Sequence, residues 1–468
     1  MRGLLDLQRE AFTVEMNPPG TVRHERLRRL GTLLDAHADG FAAAIAADFG
    51  ARSVREIELT ETMQVRSALR HTARHLDRWM RPRRAPVAPA YRPARALIQR
   101  QPLGVVGIVS PWNYPLQLSL LPLIAALAAG NRAMIKPSES TPRFAEALRA
   151  AVEDGFAADE VAVVTGDAAV GRAFCALPFD HLLFTGSTPI GREVALAAAA
   201  GLTPVTLELG GKCPVIVDAS ADLAAAATSI AWGKLINAGQ TCVAPDYALV
   251  PSTLLEPFVG RIAEAMRRLY PRFRGNPDYT AIIDDRHAGR LQGLLRDACE
   301  HGARAVEIEP VERQAAGAYP ADRRLAPVLL PHVDERARVM REEIFGPLLP
   351  ILPYDAPDEA IAFVNRRPRP LALYWFGRDR RARERVLAAT LSGGVTVNDT
   401  LVHVAQHALP FGGVGESGHG QYHGEHGFLR FSLERPVFLQ SRWSMIGLIR
   451  PPYRDSLGRW LAWLQRLV

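Results

Sequence analysis

The stretch that decides the fold is Gly104-Val105-Val106-Gly107-Ile108-Val109-Ser110-Pro111-Trp112-Asn113-Tyr114-Pro115, an apolar run of strand length that ends in a turn and passes straight into a helical pattern. The same alternation continues downstream. Ala133–Ile135 is followed by a helix after Pro142, Val161–Val164 by a short helix, and His181–Phe184 closes the series. Strands separated by helices at this spacing predict a parallel sheet covered by helices. The rhythm starts again at Val205 and runs through Val215–Val217, Ala248–Val250, Ala326–Leu330, Leu371–Phe376 and Val395–Val397, with helical stretches at Leu223–Leu235 and Asp379–Leu391. The expected class is therefore α/β with two parallel-sheet domains. Upstream, apolar residues at helical spacing over Thr21–Asp48 and Val54–Met80 predict two opening helices. Between them and the first strand, four prolines within Pro82–Pro93 forbid a helix and suit an extended arm.

The 468 residues, 48% hydrophobic and 22% charged, exclude a disordered chain and leave room for two or three domains. The longest apolar run, Leu120–Ala129, is interrupted by Pro122 and is half the length a membrane span requires, about 20 residues. The first residues meet acidic side chains at once, unlike a secretory leader, so a cytoplasmic protein is expected. Cys175, Cys213, Cys242 and Cys299 are far apart and indicate neither a zinc site nor a disulfide framework. The net charge of +7 is too diluted over this length to argue for nucleic acid as a partner. Only three of the 56 basic residues are lysine: Lys136, Lys212 and Lys234. In a chain that otherwise uses arginine, a lysine suggests that a compact ammonium is wanted; Lys234 is read as a helix-surface residue.

Gly413-Val414-Gly415-Glu416-Ser417-Gly418 has the form of a dinucleotide fingerprint, yet it follows Leu409-Pro410-Phe411 and runs into more glycines, so it is read as a loop. The nearby pairs His403/His407 and His419/His423 lack a metalloprotease pattern, and no metal is expected. Three residues carry chemistry. Cys242 lies among small residues in Asn237-Ala238-Gly239-Gln240-Thr241-Cys242-Val243, where a thiol is reachable. Glu208 sits in the apolar strand Thr206-Leu207-Glu208-Leu209, where a carboxylate is costly without a role. Asn113 falls at the carboxyl end of a strand, where ligands collect in α/β sheets.

Together these segments resemble the aldehyde dehydrogenase superfamily over nearly the whole chain. Pro111-Trp112-Asn113, Lys136-Pro137-Ser138-Glu139, Phe184-Thr185-Gly186-Ser187-Thr188, Leu207-Glu208-Leu209-Gly210-Gly211-Lys212, Gly239-Gln240-Thr241-Cys242 and Glu342-Glu343-Ile344-Phe345-Gly346-Pro347 match its motifs in order. Glu208 and Cys242 stand 34 residues apart, the family's usual spacing of base and nucleophile. Cys242–Tyr247 and the ending through Tyr422-His423-Gly424 resemble the class 3 branch, especially bacterial coniferyl-aldehyde dehydrogenases.

The resemblance implies two Rossmann-like domains: a cofactor-binding one formed by residues 1–81 and 104–207, and a catalytic one over 208–398. Residues 82–103 and about 425–440 would form a small β element that pairs two subunits as a homodimer. It implies NAD-dependent oxidation of an aldehyde to its acid, with Cys242 as nucleophile, Asn113 and the Cys242 backbone N–H as oxyanion donors, and Glu208 as base. Lys136 and Glu139 are expected at the adenosine ribose, where Glu139 would repel a 2′-phosphate and favour NAD over NADP. Gly186, Ser187 and Gly191 would present a helix N-terminus to the pyrophosphate. Trp112, Leu209, Glu343 and Phe345 are expected around the nicotinamide ribose and ring.

The expected substrate is an aromatic, cinnamyl-type aldehyde such as coniferyl aldehyde, or a medium-chain aliphatic one. Trp112, Tyr114 and Tyr247 are read as pocket candidates. Two rival readings are an acylating enzyme that passes the thioester to coenzyme A, which Glu208 opposes, and a non-catalytic protein on the same fold. His419 departs from relatives. The tail 441–468, with Trp443, Trp460 and Trp463 and an apolar helical face of Leu457, Leu461, Leu464 and Leu467, suggests a docked helix, a lid or a membrane-surface contact.

Overall fold

The computed structural model describes residues 1–309 and 323–444, with a few single positions beyond. The amphipathic tail helix expected beyond residue 441 lies outside the continuously described residues. Arg83–Ala85 (β1) and Arg95–Pro102 (β2) pair antiparallel. Val105–Val109 (β3), Arg132–Lys136 (β4), Val161–Val163 (β5), His181–Gly186 (β6) and Val205–Leu209 (β7) form a parallel sheet. Pro214–Val217 (β8), Tyr247–Pro251 (β9), Val306–Glu307 (β10), Val328–Pro331 (β11), Leu348–Tyr354 (β12), Ala372–Phe376 (β13) and Gly394–Val397 (β14) form a second, parallel except for β10. Gly418–His419 (β15) adds antiparallel to β7, and Ser432–Leu439 (β16) adds to β2. The class is thus the expected one: two parallel sheets and a small antiparallel one.

The first sheet runs in the order β15-β7-β6-β3-β4-β5. Strand order reverses between β3 and β6, so the loops leaving their carboxyl ends, Ser110–Tyr114 and Ser187, part to open a crevice. The helix Pro115–Ala129, buried on every side, carries this motif into the core. Its first free N–H groups, those of Leu116 and Gln117, donate to the Glu61 carboxylate at 2.8 and 3.2 Å, an anionic cap on the positive end of the helix. The formal G-x-G-x-x-G at 413–418 is a short turn leading into β15, as expected of a loop.

Several expectations are corrected. A helix at Arg2–Val14 precedes the two read from periodicity; it docks through the buried Gln8, whose amide donates to the carbonyls of Ala133 and Ala158. Strand β12 escaped the sequence reading because Pro350 and Pro353 each lack an N–H, normally disqualifying in a central strand, yet it is paired on both sides. The division expected between residues 207 and 208 cuts β7, which runs on to Leu209. Lys234 is no surface residue: it is 1% exposed at the end of the helix Leu223–Leu235, and burial lowers its pKa to about 8.

Candidate active site

Two cavities converge on one thiol. A large one, about 870 Å³, opens at the β3/β6 crevice; a smaller chamber, about 210 Å³, lies on the other side, and Cys242, Glu208, Thr185 and Leu118 line both. A reactant entering from either side meets the same sulfur.

The loop that presents Cys242 is held in an unusual backbone state. Asn237, Ala238 and Gly239 all have positive φ, at 51°, 51° and 76°. A side chain at Gly239 would meet the Gly346 carbonyl at 2.5 Å, so only glycine fits. Hydrogen bonds hold the strained turn: Glu56 accepts the Asn237 N–H, and Gln240 donates to Asn237 and Ala281 while accepting from Ile283. Burial, with Glu343 and Glu208 nearby, pushes the Cys242 thiol up to about 12, against the pull of the backbone N–H groups of Cys242 and Val243 on its sulfur. A protonated thiol at neutral pH needs a base beside it.

Glu208 is that neighbour. It is buried in β7, neither carboxyl oxygen has a hydrogen-bond partner, and burial raises its pKa well above the ordinary value. Asn113 is buried too; its amide donates to the Gln240 carbonyl at 3.1 Å, which leaves its second amide hydrogen for a ligand. Its own carbonyl accepts from Asn237 and from Arg52 at 3.0 Å each. Arg52 also donates to the fully buried Glu61 at 2.9 Å and lies over the rings of Phe49 and Tyr114. The sequence reading missed Arg52, Glu56 and Glu61, and quoted Gln240 without giving it a role. A polar, charged cluster just before an amphipathic helix was the only signal available.

On the large-cavity side, Trp112, Gly186, Ser187, Glu343 and Phe345 form the wall. Ser187 begins the helix Thr188–Ala200 with no side-chain cap, so apart from Pro189, which has no N–H, the N–H groups of its first turn are not taken up by a capping side chain. Gly191 packs beneath, where a side chain would strike Leu209 at 2.5 Å. Glu343 accepts the Gly211 N–H; burial and Asp246 raise its pKa to about 8, and a Cβ at Gly210 would lie 2.0 Å from its carboxylate. Lys212, joined to Asp246, donates to the carbonyls of Val339 and Glu342 and so ties the Glu343 segment to the second sheet. These donors, a carboxylate and a bare glycine surface fit a dinucleotide. Lys136 and Glu139 are not in this wall: they sit at the end of β4, the buried ammonium 3.8 Å from the half-exposed carboxylate.

Of the aromatic candidates, Tyr114 lines the small chamber and donates to or accepts from Thr241 at 2.7 Å. Trp112 instead faces the large cavity, edge-on to Phe345, and Tyr247 is buried in the core against Phe363. The causes differ: the loop after β3 turns its successive side chains to opposite sides of the crevice, and Tyr247 begins a central strand. Among the described residues, no group of three or more metal-ligating side chains is assembled.

Residues 6–437 match the aldehyde dehydrogenase family. The chain is 50% identical to a probable coniferyl aldehyde dehydrogenase of Pseudomonas aeruginosa, over 98% of this chain and 95% of that one. It is 44% identical to a coniferyl aldehyde dehydrogenase of a Pseudomonas species, over 97% and 94%. Among solved structures, substrate-bound AldH of Staphylococcus aureus is similar with a TM-score of 0.92, 36% identity and 99% coverage of both chains. An indole-3-acetaldehyde dehydrogenase of P. syringae in complex with NAD+ and IAA superposes at 0.84, with 27% identity over 94% and 88%.

Proposed function

The chain belongs to the aldehyde dehydrogenase family and oxidises an aldehyde to its acid with NAD(P); from that premise we propose that Cys242, Glu208 and Asn113 do the chemistry and that the aldehyde is of the aromatic, cinnamyl type. The convergence of both cavities on Cys242 and Glu208 carries this reading. Glu208 takes the thiol proton as the Cys242 sulfur adds to the carbonyl carbon. The free hydrogen of the Asn113 amide and the Cys242 backbone N–H then donate to the oxygen that gains charge; one such donor is worth about 10²–10³ in rate. When bound, the nicotinamide supplies the acceptor for the hydride, which leaves a thioester on Cys242. Once Glu208 has passed the thiol proton on to solvent, it removes a proton from water, whose oxygen attacks the thioester carbon; the C–S bond breaks, and the acid leaves as the Cys242 sulfur regains a proton.

Ser187 and the helix it opens would hold the pyrophosphate, and Glu343 the nicotinamide ribose. Glu139, exposed beside Lys136, supports NAD over NADP, since a 2′-phosphate there would face a carboxylate. The names of the relatives at 44–50% identity and the apolar walls of the small chamber support an aromatic propenal. Glu208 weighs against transfer to coenzyme A, which needs no water-activating base. A homodimer is supported by β16, an edge strand of the small sheet that leaves Leu433, Phe438 and Leu439 about half exposed.

The test is the absorbance of reduced nicotinamide from purified protein given NAD or NADP with cinnamyl, benzyl and straight-chain aldehydes, with and without coenzyme A. Turnover without coenzyme A, fastest on cinnamyl aldehydes, is expected; turnover only with coenzyme A would overturn the hydrolytic reading. Light scattering should report twice the chain mass, and a monomer alone would remove the dimer.

A further inference from the structure

The small chamber holds a buried imidazole whose nitrogens are used neither by the mechanism nor by any hydrogen bond. Three of its lining residues have buried polar atoms without a partner: Glu208, Thr185 and His423. The first two border Cys242 and both cavities. His423 borders the small chamber only. It is 5% exposed, and neither ring nitrogen is hydrogen-bonded. His403 and His407 also keep an orphan Nε2, but they stand behind the wall rather than in it.

Two further observations set His423 apart. Its backbone lies at φ 126° and ψ 138°, a region that residues with a side chain occupy at a cost of about 1–3 kcal/mol and that persists mainly at functional sites. The ring is clamped there, stacked on Phe411 at 5.1 Å and edge-on to Tyr422 at 4.7 Å. Second, none of the rings packed around it, those of Phe411, Tyr422 and, at 6.3 Å, His407, lines the large cavity on which Cys242 and Glu208 also open. Burial drives the His423 pKa down to about 3, so the ring is neutral at physiological pH and carries one donor and one acceptor.

We propose that His423 is a specificity-determining residue that hydrogen-bonds a hydroxyl at the end of the aldehyde remote from its carbonyl, so that the chamber selects aromatic aldehydes bearing a ring hydroxyl. This rests on the aromatic-aldehyde reading above. A buried group left unpaired by the wrong substrate discriminates far more strongly than an apolar wall, because the penalty falls on every substrate that lacks the hydroxyl.

The experiment compares kcat/KM for 4-hydroxycinnamaldehyde and cinnamaldehyde in the wild-type enzyme, His423→Leu and His423→Asn, with NAD affinity by fluorescence titration as the check on folding. Wild type is expected to favour the hydroxylated aldehyde by about tenfold or more. His423→Leu should bring the ratio to within about twofold while cinnamaldehyde is turned over much as before, and His423→Asn, which keeps a side-chain donor, should retain part of the preference. An unchanged ratio in His423→Leu with normal NAD affinity overturns the assignment: the ring then holds water or serves packing alone. Wild-type turnover of straight-chain aldehydes with neither cinnamaldehyde accepted overturns the aromatic reading itself, and this proposal with it.

Discussion

The two cavities that meet at Cys242 are built by different rules. The large one is made of strand ends: the loop after β3, the β6-to-helix turn, Gly210 and Gly211 after β7, and the Glu342–Phe345 segment. Its wall offers a ligand backbone N–H groups, bare glycines and charged tips, so most of its positions are chemically constrained. Besides the Cys242 loop and its helix, the small chamber is made of side chains from four remote segments: the helical stretch 59–64, the helix Pro115–Ala129, the loop 401–405 and the loop 411–423. Almost any apolar residue could fill most of its positions. On the proposed function, the two reacting groups thus stand where the cavities meet, with cofactor binding on one side of the sulfur and substrate selection on the other, and variants should split along the same line.

Cys242→Ala should produce the largest effect: turnover lost by at least about 10⁴-fold, with NAD binding by fluorescence unchanged. Appreciable residual dehydrogenase activity would refute the division, because the nucleophile would lie elsewhere. Glu208→Gln is expected to slow steady-state turnover by about 10²–10⁴-fold. Where some acylation persists, a burst of reduced cofactor should precede the slow phase.

Glu208 also fixes a pH dependence. Its raised pKa keeps it a neutral acid until the pH climbs through that value, so kcat should rise with pH in the wild type and flatten in Glu208→Gln. Stability runs the other way. The contribution of the protonated carboxyl is complete below the ordinary carboxyl pKa and is lost as pH rises through the raised one. Denaturation midpoints measured across that range should therefore fall for wild type relative to Glu208→Gln.

Arg52→Met tests whether a residue in neither wall governs the catalytic side. It strands the buried Glu61 and removes a donor from the Asn113 carbonyl, and should cost about 3–5 kcal/mol of stability by urea denaturation. A loss under about 1 kcal/mol would show that the oxyanion loop is held by Asn237 alone. The smallest effect belongs to Tyr114→Phe. Losing one hydrogen bond to Thr241 should cost about 1 kcal/mol and change kcat/KM a few-fold, mainly through KM for the aldehyde. An equal change in KM for NAD would erase the distinction between the two sides.

The same contrast explains what could be read in advance. Cys242, Glu208, Asn113 and the cofactor residues sit in short runs whose neighbours announce them: a thiol after Gly239-Gln240, a carboxylate inside an apolar strand, an amide at a strand end. Strands β3, β6 and β7 were legible because their apolar runs are local. Strand β12 was not, since its two prolines are tolerated only by pairing with β9 and β11 from distant parts of the chain. Nor was Lys234, whose helical period says nothing of what packs against it.

By itself the sequence determined the α/β class with its two parallel-sheet domains and singled out Cys242, Glu208 and Asn113 as candidates, because local periodicity and local residue type are sufficient for that; the order of the strands within each sheet was not legible. Only the tertiary structure decided that Arg52 and Glu61 brace Asn113, that Trp112 and Tyr114 face opposite cavities, and that His423 stands unpaired in a strained backbone at the chamber wall. Those facts depend on which distant segments meet, and burial acquires its cost only once they do.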